Sequence, residues 1–371
     1  MTLIMHQFKT ILGIESSCDE TSAAVLEKNG DNITVLSNII SSSAELQATY
    51  GGIIPEQAAR EQLKAIIPVV TESLKRANKK IEEIDAIAIT YGPGLIGSLL
   101  IGVETAKVLA LNYKKPLIPV NHLIGHFYAN WIQHPTQHLL PKFPCIGLLV
   151  SGGHSDLVLF KSHNVHEYLG GTRDDAAGEC FDKSARLLGY PYPGGPKISK
   201  IAEHGDENKI KMPIPMHDSK DLDFSFSGLK TFFLNLVEKE YNISNIDPEN
   251  ANNRWKRIAS DNLEENDQKI ADLCASLEKT IITSLTQKTM RAMKQYNVTE
   301  LIVAGGVAAN RKLKQTLEQS VKAEITNGNV YVPDTSLCMD NAAMIASAAF
   351  FLEPTDNIIN LQANPNLSLE I

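Results

Sequence analysis

The sequence predicts an α/β protein built as two similar halves around a shared cleft, and two internal repeats carry that expectation. In the first, Ile11-Leu12-Gly13-Ile14 runs through a turn-like Ser16-Ser17-Cys18-Asp19-Glu20 into Thr21 to Leu26. Likewise, Cys145 to Val150 runs through Ser151-Gly152-Gly153-His154 into Asp156 to Phe160. Short apolar runs bounded by small polar turns are strand signals. Setting Gly13 on Gly147 also sets Ser17 on Ser151 and Thr21 on Ser155. In the second repeat, Ile87-Ala88-Ile89-Thr90 enters Tyr91-Gly92-Pro93-Gly94 as Leu301-Ile302-Val303-Ala304 enters Gly305-Gly306, each a strand, a glycine turn and a helix start. A repeated supersecondary unit signals duplication. Glycine turns at helix starts let a phosphate or carbonyl approach unpaired N–H groups. Four related turns in two matched pairs imply one ligand held between two halves.

A chain of 371 residues is long enough for two domains or for one duplicated architecture with a deep cleft. From Gly13 to Gly92 is 79 residues, whereas from Gly147 to Gly305 is 158, so the second half carries an insertion, placed at about 165–270. The halves are then 1–135 and 136–371.

In chain order, the apolar stretch Gly94 to Leu111 is interrupted by Glu104 and Lys107, which makes it a buried helix and not a membrane span. Next, Val120 to His126 follows the Pro116 to Pro119 segment. If it is helical, His122 and His126 lie four apart on one face and can offer two imidazole nitrogens to one ion. Taken alone, such a pair is more often two ordinary helix histidines. Leu123 stands where a zincin protease has its general-base glutamate, which disfavours a metalloprotease. Two histidines also leave ligands to be supplied from elsewhere.

The insertion holds Asp174 to Lys183, Tyr192-Pro193-Gly194-Gly195-Pro196 and Phe224 to Thr231, small, polar and aromatic residues that suit a ligand lip. Asp174 or Asp175 fits a helix cap, but Asp182, inside the expected helix, does not. Leu273, Leu277, Ile281 and Leu285 mark an amphipathic helix. Asn310, near a helix start, suits either a cap or a hydrogen bond to a ligand. Asp340 opens an alanine-rich helix, so an N-cap is its first reading; its second is a hard oxygen ligand completing the histidine pair.

Composition excludes several classes. With 43% hydrophobic and 21% charged residues the chain is an ordinary globular protein and not a disordered one. Its five cysteines are scattered without a C-x-x-C, against both a disulfide framework and a thiolate zinc cluster. Met1 to Lys9 has no secretory pattern, which leads to the expectation of a cytoplasmic protein with no membrane partner. A net charge of −8 means that any polyanion must be met by a local patch, such as Lys75, Arg76, Lys79 and Lys80.

Together, Gly13 to Thr21, Gly92 to Leu95, His122 to His126, Leu149 to His154, Asp174 to Lys183, Tyr192 to Pro196, Phe224 to Thr231, Ala304 to Arg311 and Asp340-Asn341 resemble the tRNA N6-adenosine threonylcarbamoyltransferases, formerly called O-sialoglycoprotein endopeptidases. The resemblance implies an actin-like, Hsp70-like fold of two ribonuclease-H-like halves. It implies one divalent ion per subunit on His122, His126 and Asp340, Fe(II) ahead of Zn(II), and substrate contacts from Leu149, Val150, Ser151, Gly152, Gly153, Asp182, Gly195 and Asn310. The implied reaction moves threonylcarbamoyl from threonylcarbamoyl-adenylate to N6 of the adenosine 3′ to the anticodon, releasing AMP. Implied partners are tRNA, a paralogous actin-like subunit and a small P-loop ATPase. Asp19 and Glu20, at the first hairpin turn, are catalytic candidates by position. Ile124 replaces a glutamate frequent in bacterial members, and Tyr91 also departs from the pattern; neither position is an implied ligand. The rival readings are an ATP-dependent small-molecule kinase of the same fold and a non-catalytic scaffold.

Overall fold

The computed structural model describes residues 8–43, 54–133, 139–240 and 268–370. The expected half boundary at 135 and the last part of the expected insertion, 241–267, lie outside them. Two five-stranded sheets organise the molecule. The first contains β1 (Thr10–Glu15), β2 (Glu20–Asn29), β3 (Asn32–Ser42), β4 (Ala86–Gly92) and β5 (Leu117–Asn121), in the order β3-β2-β1-β4-β5. The second contains β6 (Cys145–Val150), β7 (Ser155–Ser162), β8 (Val165–Gly171), β9 (Glu300–Ala304) and β10 (Asn329–Tyr331), in the order β10-β9-β6-β7-β8.

The two orders are the same plan. β1 is antiparallel to β2 and parallel to β4, as β6 is antiparallel to β7 and parallel to β9. Even the register repeats, because Gly13 pairs with Ala24 and Gly147 with Val158, equal steps along each hairpin. The duplication read from the turns is therefore present in the hydrogen bonding.

Helices cover the sheets: α1 (Pro55–Arg76), α2 (Ile96–Tyr113), α3 (His122–Tyr128), α4 (Ala177–Leu187), α5 (Gly195–Ala202), α6 (Ser227–Glu240), α7 (Gln268–Gln295), α8 (Arg311–Glu324), α9 (Thr335–Cys338) and α10 (Ala342–Ala349). Every residue of the central strands β1 and β6 is buried, as expected of strands with helices on both faces. α7 is buried along almost its whole length, more than its one-sided leucine stripe predicts, because β6, α5 and α8 all pack on it.

One apolar core runs beneath both halves. Ile11, Val120 and Phe127 from the first share it with Leu149, Val158 and Ile302 from the second and with Met344 and Ile345 of α10. α10 lies directly on β1: a methyl group added at Gly13 would stand 2.5 Å from the Ala342 carbonyl oxygen, so only glycine permits this approach. The chain end then returns to the first half, where the Thr355 N–H donates to the Leu117 carbonyl (2.8 Å) and the Asn364 N–H to that of Tyr91 (2.7 Å).

α2 departs from the expected buried helix. Ser98, Leu99, Gly102, Val103, Ala106 and Ala110 are covered, while Ile96, Leu100, Val108 and Leu111 are exposed. One sheet and α1 can cover only one face of a helix. By length and composition this helix alone among the described residues is apolar enough to cross a membrane, and a third of it is buried inside the protein.

Candidate metal and substrate site

The histidine pair sits where β5 ends. Asn121 caps α3, its Oδ1 accepting from the Leu123 N–H (2.9 Å), and this starts the helix at His122 itself. Four residues later His126 lies one turn along, and the two rings meet edge to face with centroids 4.7 Å apart.

The third group comes from the turn just before α10, and its freedom rests on a one-residue distinction. The helix is capped by Asn341, whose Oδ1 accepts from the Met344 N–H (3.2 Å) while its Nδ2 donates to the Met339 carbonyl (2.7 Å). The N-cap reading of Asp340 is thus corrected: the neighbouring amide caps, and Asp340 turns to the histidines. Its Oδ1 lies 3.2 Å from His126 Nε2 and 3.5 Å from His122 Nε2. The three candidate ligand atoms all lie within 4.8 Å of one another, and both histidines are buried. Two imidazoles and one carboxylate converging in this way fit a divalent ion that keeps coordination positions open toward a substrate.

Behind the triad stands Glu15, wholly buried at the end of β1. Its Oε2 lies 3.1 Å from His122 Nδ1 and accepts from the Thr90 hydroxyl (2.5 Å); its Oε1 accepts from the Ser17 N–H (2.6 Å). Burial alone would raise this carboxyl, but His122 and Ser17 hold it below the ordinary range. Burial would likewise lower His122, yet Glu15 and Asp340 outweigh it and push the imidazole up to about 9. Asp340 is held well below the usual carboxylate range by His122 and His126 against its own desolvation.

The candidate substrate residues lie on several elements: Leu149 and Val150 end β6, Ser151 to Gly153 form the turn after it, Asp182 is on α4, Gly195 starts α5 and Asn310 precedes α8. Leu149 and Val150 have fully buried side chains, so only their backbone can meet a ligand. The Ser151 turn is closed by its N–H to the His154 carbonyl (2.8 Å) and by the His154 N–H to its own hydroxyl (3.1 Å). Among the described residues the N–H groups of Gly152 and Gly153 meet no protein acceptor, and a methyl group at either glycine would touch nothing within 4 Å. Gly305 closes in from β9 with φ +89°, and a methyl there would collide with the Val150 carbonyl at 2.4 Å.

Asp182 Oδ1 accepts from the N–H groups of Gly194 (2.7 Å) and Gly195 (3.1 Å), which ties the Tyr192 turn to α4. Asn310 caps α8, its Oδ1 accepting from the Leu313 N–H (2.8 Å), while its Nδ2 donates to Glu278 (2.7 Å) and Ser199 (2.9 Å). At the first hairpin, burial pushes Glu20 up to about 10, helped by hydrogen bonding to Asp19 and by the charge of Asp340. Tyr192 from the second half, raised mainly by burial, also feels the charges of Asp19 and Asp182.

Asp174 and Asp175 do not cap α4, whose N-cap is Ala176. Asp174 reaches across to accept from the Ser225 hydroxyl (2.5 Å) and the Phe226 N–H (2.7 Å), and Asp175 pairs with Lys183 (2.9 Å) and Lys230 (2.8 Å). Ser225, Phe226 and Lys230, at and just before α6, are all some fifty residues away, beyond any local reading. Glu15 and Thr90 were also not singled out, although a carboxylate closing a wholly apolar strand is a usable signal.

The sequence profile described as TsaD: tRNA N6-adenosine threonylcarbamoyltransferase matches residues 34–347. The chain belongs to this family. Relatives bearing the family's name include those of Listeria monocytogenes serotype 4b (strain CLIP80459), 44% identical over 99% of this chain and 98% of the relative, and Clostridium kluyveri (strain ATCC 8527), 46% identical over 97% of each. That of Thermosipho africanus is 44% identical over 97% of this chain and 99% of its own length. Among solved structures, HypF of T. kodakarensis superposes with a TM-score of 0.55 at 14% identity, over 94% of this chain and 47% of that one. Full-length HypF in its phosphate- and nucleotide-bound form gives 0.57 at 12%, over 92% and 55%. These structural likenesses speak for the fold alone, a duplicated actin-like one. Family membership makes this an acyltransferase that modifies tRNA to threonylcarbamoyladenosine, and it does not favour the kinase or scaffold readings. The family and the converging His122, His126 and Asp340 also point to a metal.

Proposed function

We propose that the chain transfers threonylcarbamoyl from its adenylate to N6 of the adenosine 3′ to the anticodon, releasing AMP, in the cleft between 1–135 and 136–371. The observation that carries this reading is the convergence of His122, His126 and Asp340, whose ligand atoms all lie within 4.8 Å of one another; His154, at the end of the Ser151 turn, lies in the field of all three. His122, His126 and Asp340 would hold the divalent ion, iron ahead of zinc, which when bound supplies Lewis-acid polarisation of an oxygen. The N–H groups of Gly152 and Gly153 donate to the departing phosphate. Leu149 and Val150 contribute backbone only, Ser151 keeps the turn closed, and Asp182, Gly195 and Asn310 position the nucleotide. Glu20 and Asp19, at the first hairpin turn, position the incoming adenosine, and Asp19 accepts the proton that N6 loses on attack.

A protein partner fits the apolar faces of α1 and α2, where Leu63, Ile67, Ile96 and Leu100 are exposed on helices that pack together. We assign this surface to a paralogous actin-like subunit; the resemblance adds a small P-loop ATPase and a cytoplasmic setting. The test supplies the purified chain, with and without those partners, with threonylcarbamoyl-adenylate and tRNA. Threonylcarbamoyladenosine formed together with equimolar AMP is the expected result. A phosphorylated small acid or sugar from ATP, with unmodified tRNA, would favour the kinase instead.

A further inference from the structure

We infer that Glu15 is a positioning residue for the metal site, fixing the ring orientation and tautomer of His122 so that Nε2 faces the ion. The inference rests on the metal reading of the triad and deepens it.

Each oxygen of Glu15 has its own fixed task. Oε1 is taken by the Ser17 N–H at 2.6 Å, and Oε2 receives both the Thr90 hydroxyl at 2.5 Å and His122 Nδ1 at 3.1 Å. The carboxylate is fully buried, with Thr90 equally buried and Ser17 nearly so. Its two backbone and hydroxyl donors come from different places, the hairpin turn after β1 and the strand β4, so the pairing of β1 with β4 itself holds the group still. An ionised carboxylate can only accept, so Nδ1 must carry its hydrogen toward Glu15. Nε2 is then the nitrogen left to ligate, and it is Nε2 that lies near Asp340, at 3.5 Å. Ser17 Oγ, 3.2 Å from the same Nδ1, supports the orientation.

His126 offers the contrast. Its Nε2 also faces Asp340, but its Nδ1 is buried with no hydrogen-bond partner. Among the described residues, then, one histidine of the pair is anchored at its far nitrogen and the other is not. Outer carboxylates that bind the far nitrogen of a ligating histidine usually account for ten- to hundredfold in metal affinity.

Glu15→Gln exposes this role because its amide has one acceptor where Glu15 uses two. With its NH2 toward His122 it demands the wrong tautomer, and turned the other way it opposes the Ser17 N–H. Glu15→Asp keeps the charge but withdraws the carboxylate by one methylene from Nδ1. The full-length chain and both variants are titrated with Zn2+ against a chromophoric chelator, and their Co2+ absorption spectra are recorded alongside His126→Ala. We expect parent binding that His126→Ala abolishes, together with affinity lowered about ten- to hundredfold and an altered Co2+ spectrum in both Glu15 variants. Parent affinity and spectrum in either Glu15 variant that folds overturns the positioning role. Failure of the parent to bind more tightly than His126→Ala overturns the metal reading beneath it.

Discussion

Asp340 meets the histidines because Asn341 relieves it of capping α10, and the two side chains therefore respond differently to substitution. Asp340→Asn keeps size and helix start but removes the one anionic ligand. We expect at least about a hundredfold loss of ion affinity and of tRNA modification, together with a lower melting temperature of the metal-free chain at pH 7, since one partner of a buried charge pair is lost and His122 is left less compensated. Asn341→Ala, read by denaturant unfolding, should cost about 1–2 kcal/mol, because a cap and its buried amide bonds are lost together. The raised His122 sets a pH dependence. A histidine charged more readily in the folded state stabilises fully below its unfolded value near 6.5, and that contribution fades as pH climbs toward about 9. The metal-free chain should therefore melt at lower temperature at pH 9.5 than at pH 7. Over the same interval ion affinity should rise, by up to about tenfold per pH unit, because ion and proton compete for Nε2.

Among the elements, β1, β6 and the turns that follow them were legible because apolar runs ending in Ser-rich or Gly-rich turns recur at matching offsets. Helix α3 was legible too, once His122 and His126 were set four apart. What escaped the sequence were contacts made only when distant elements pair. Glu15 acquires its role when β4 brings Thr90 beside it, Asp174 when the start of α6 folds back, and Asn310 reaches Glu278 and Ser199 on two other helices. The burial of α2 was overread for a related reason, since an apolar sequence does not say which of its faces the molecule itself covers. That uncovered face, continued on α1 by Leu63 and Ile67, leads to a test by size-exclusion chromatography. Leu63→Asp with Leu100→Asp should abolish complex formation with the paralogous subunit while shifting the melting temperature by no more than about 2 °C. Retention of the complex would place the partner elsewhere.

For the whole molecule, duplication explains why the candidate metal cluster draws on both halves of the chain: His122 and His126 come from α3 and Asp340 from just before α10, and both helices rest on the core between the sheets. Net charge of −8 sets a different limit, because phosphate contacts must come from local basic groups. The chain alone should bind tRNA weakly, with affinity falling as salt rises, and addition of its partners should both tighten binding and steepen the salt slope, as fluorescence anisotropy would show. Above all, the His122, His126 and Asp340 cluster is proposed to serve threonylcarbamoyl transfer. The most direct measurement is mass-spectrometric nucleoside analysis of tRNA from cells depleted of their own transferase and carrying either the parent chain or His122→Ala. Threonylcarbamoyladenosine restored by the parent alone, with both proteins soluble, is the result expected; restoration by both would contradict it.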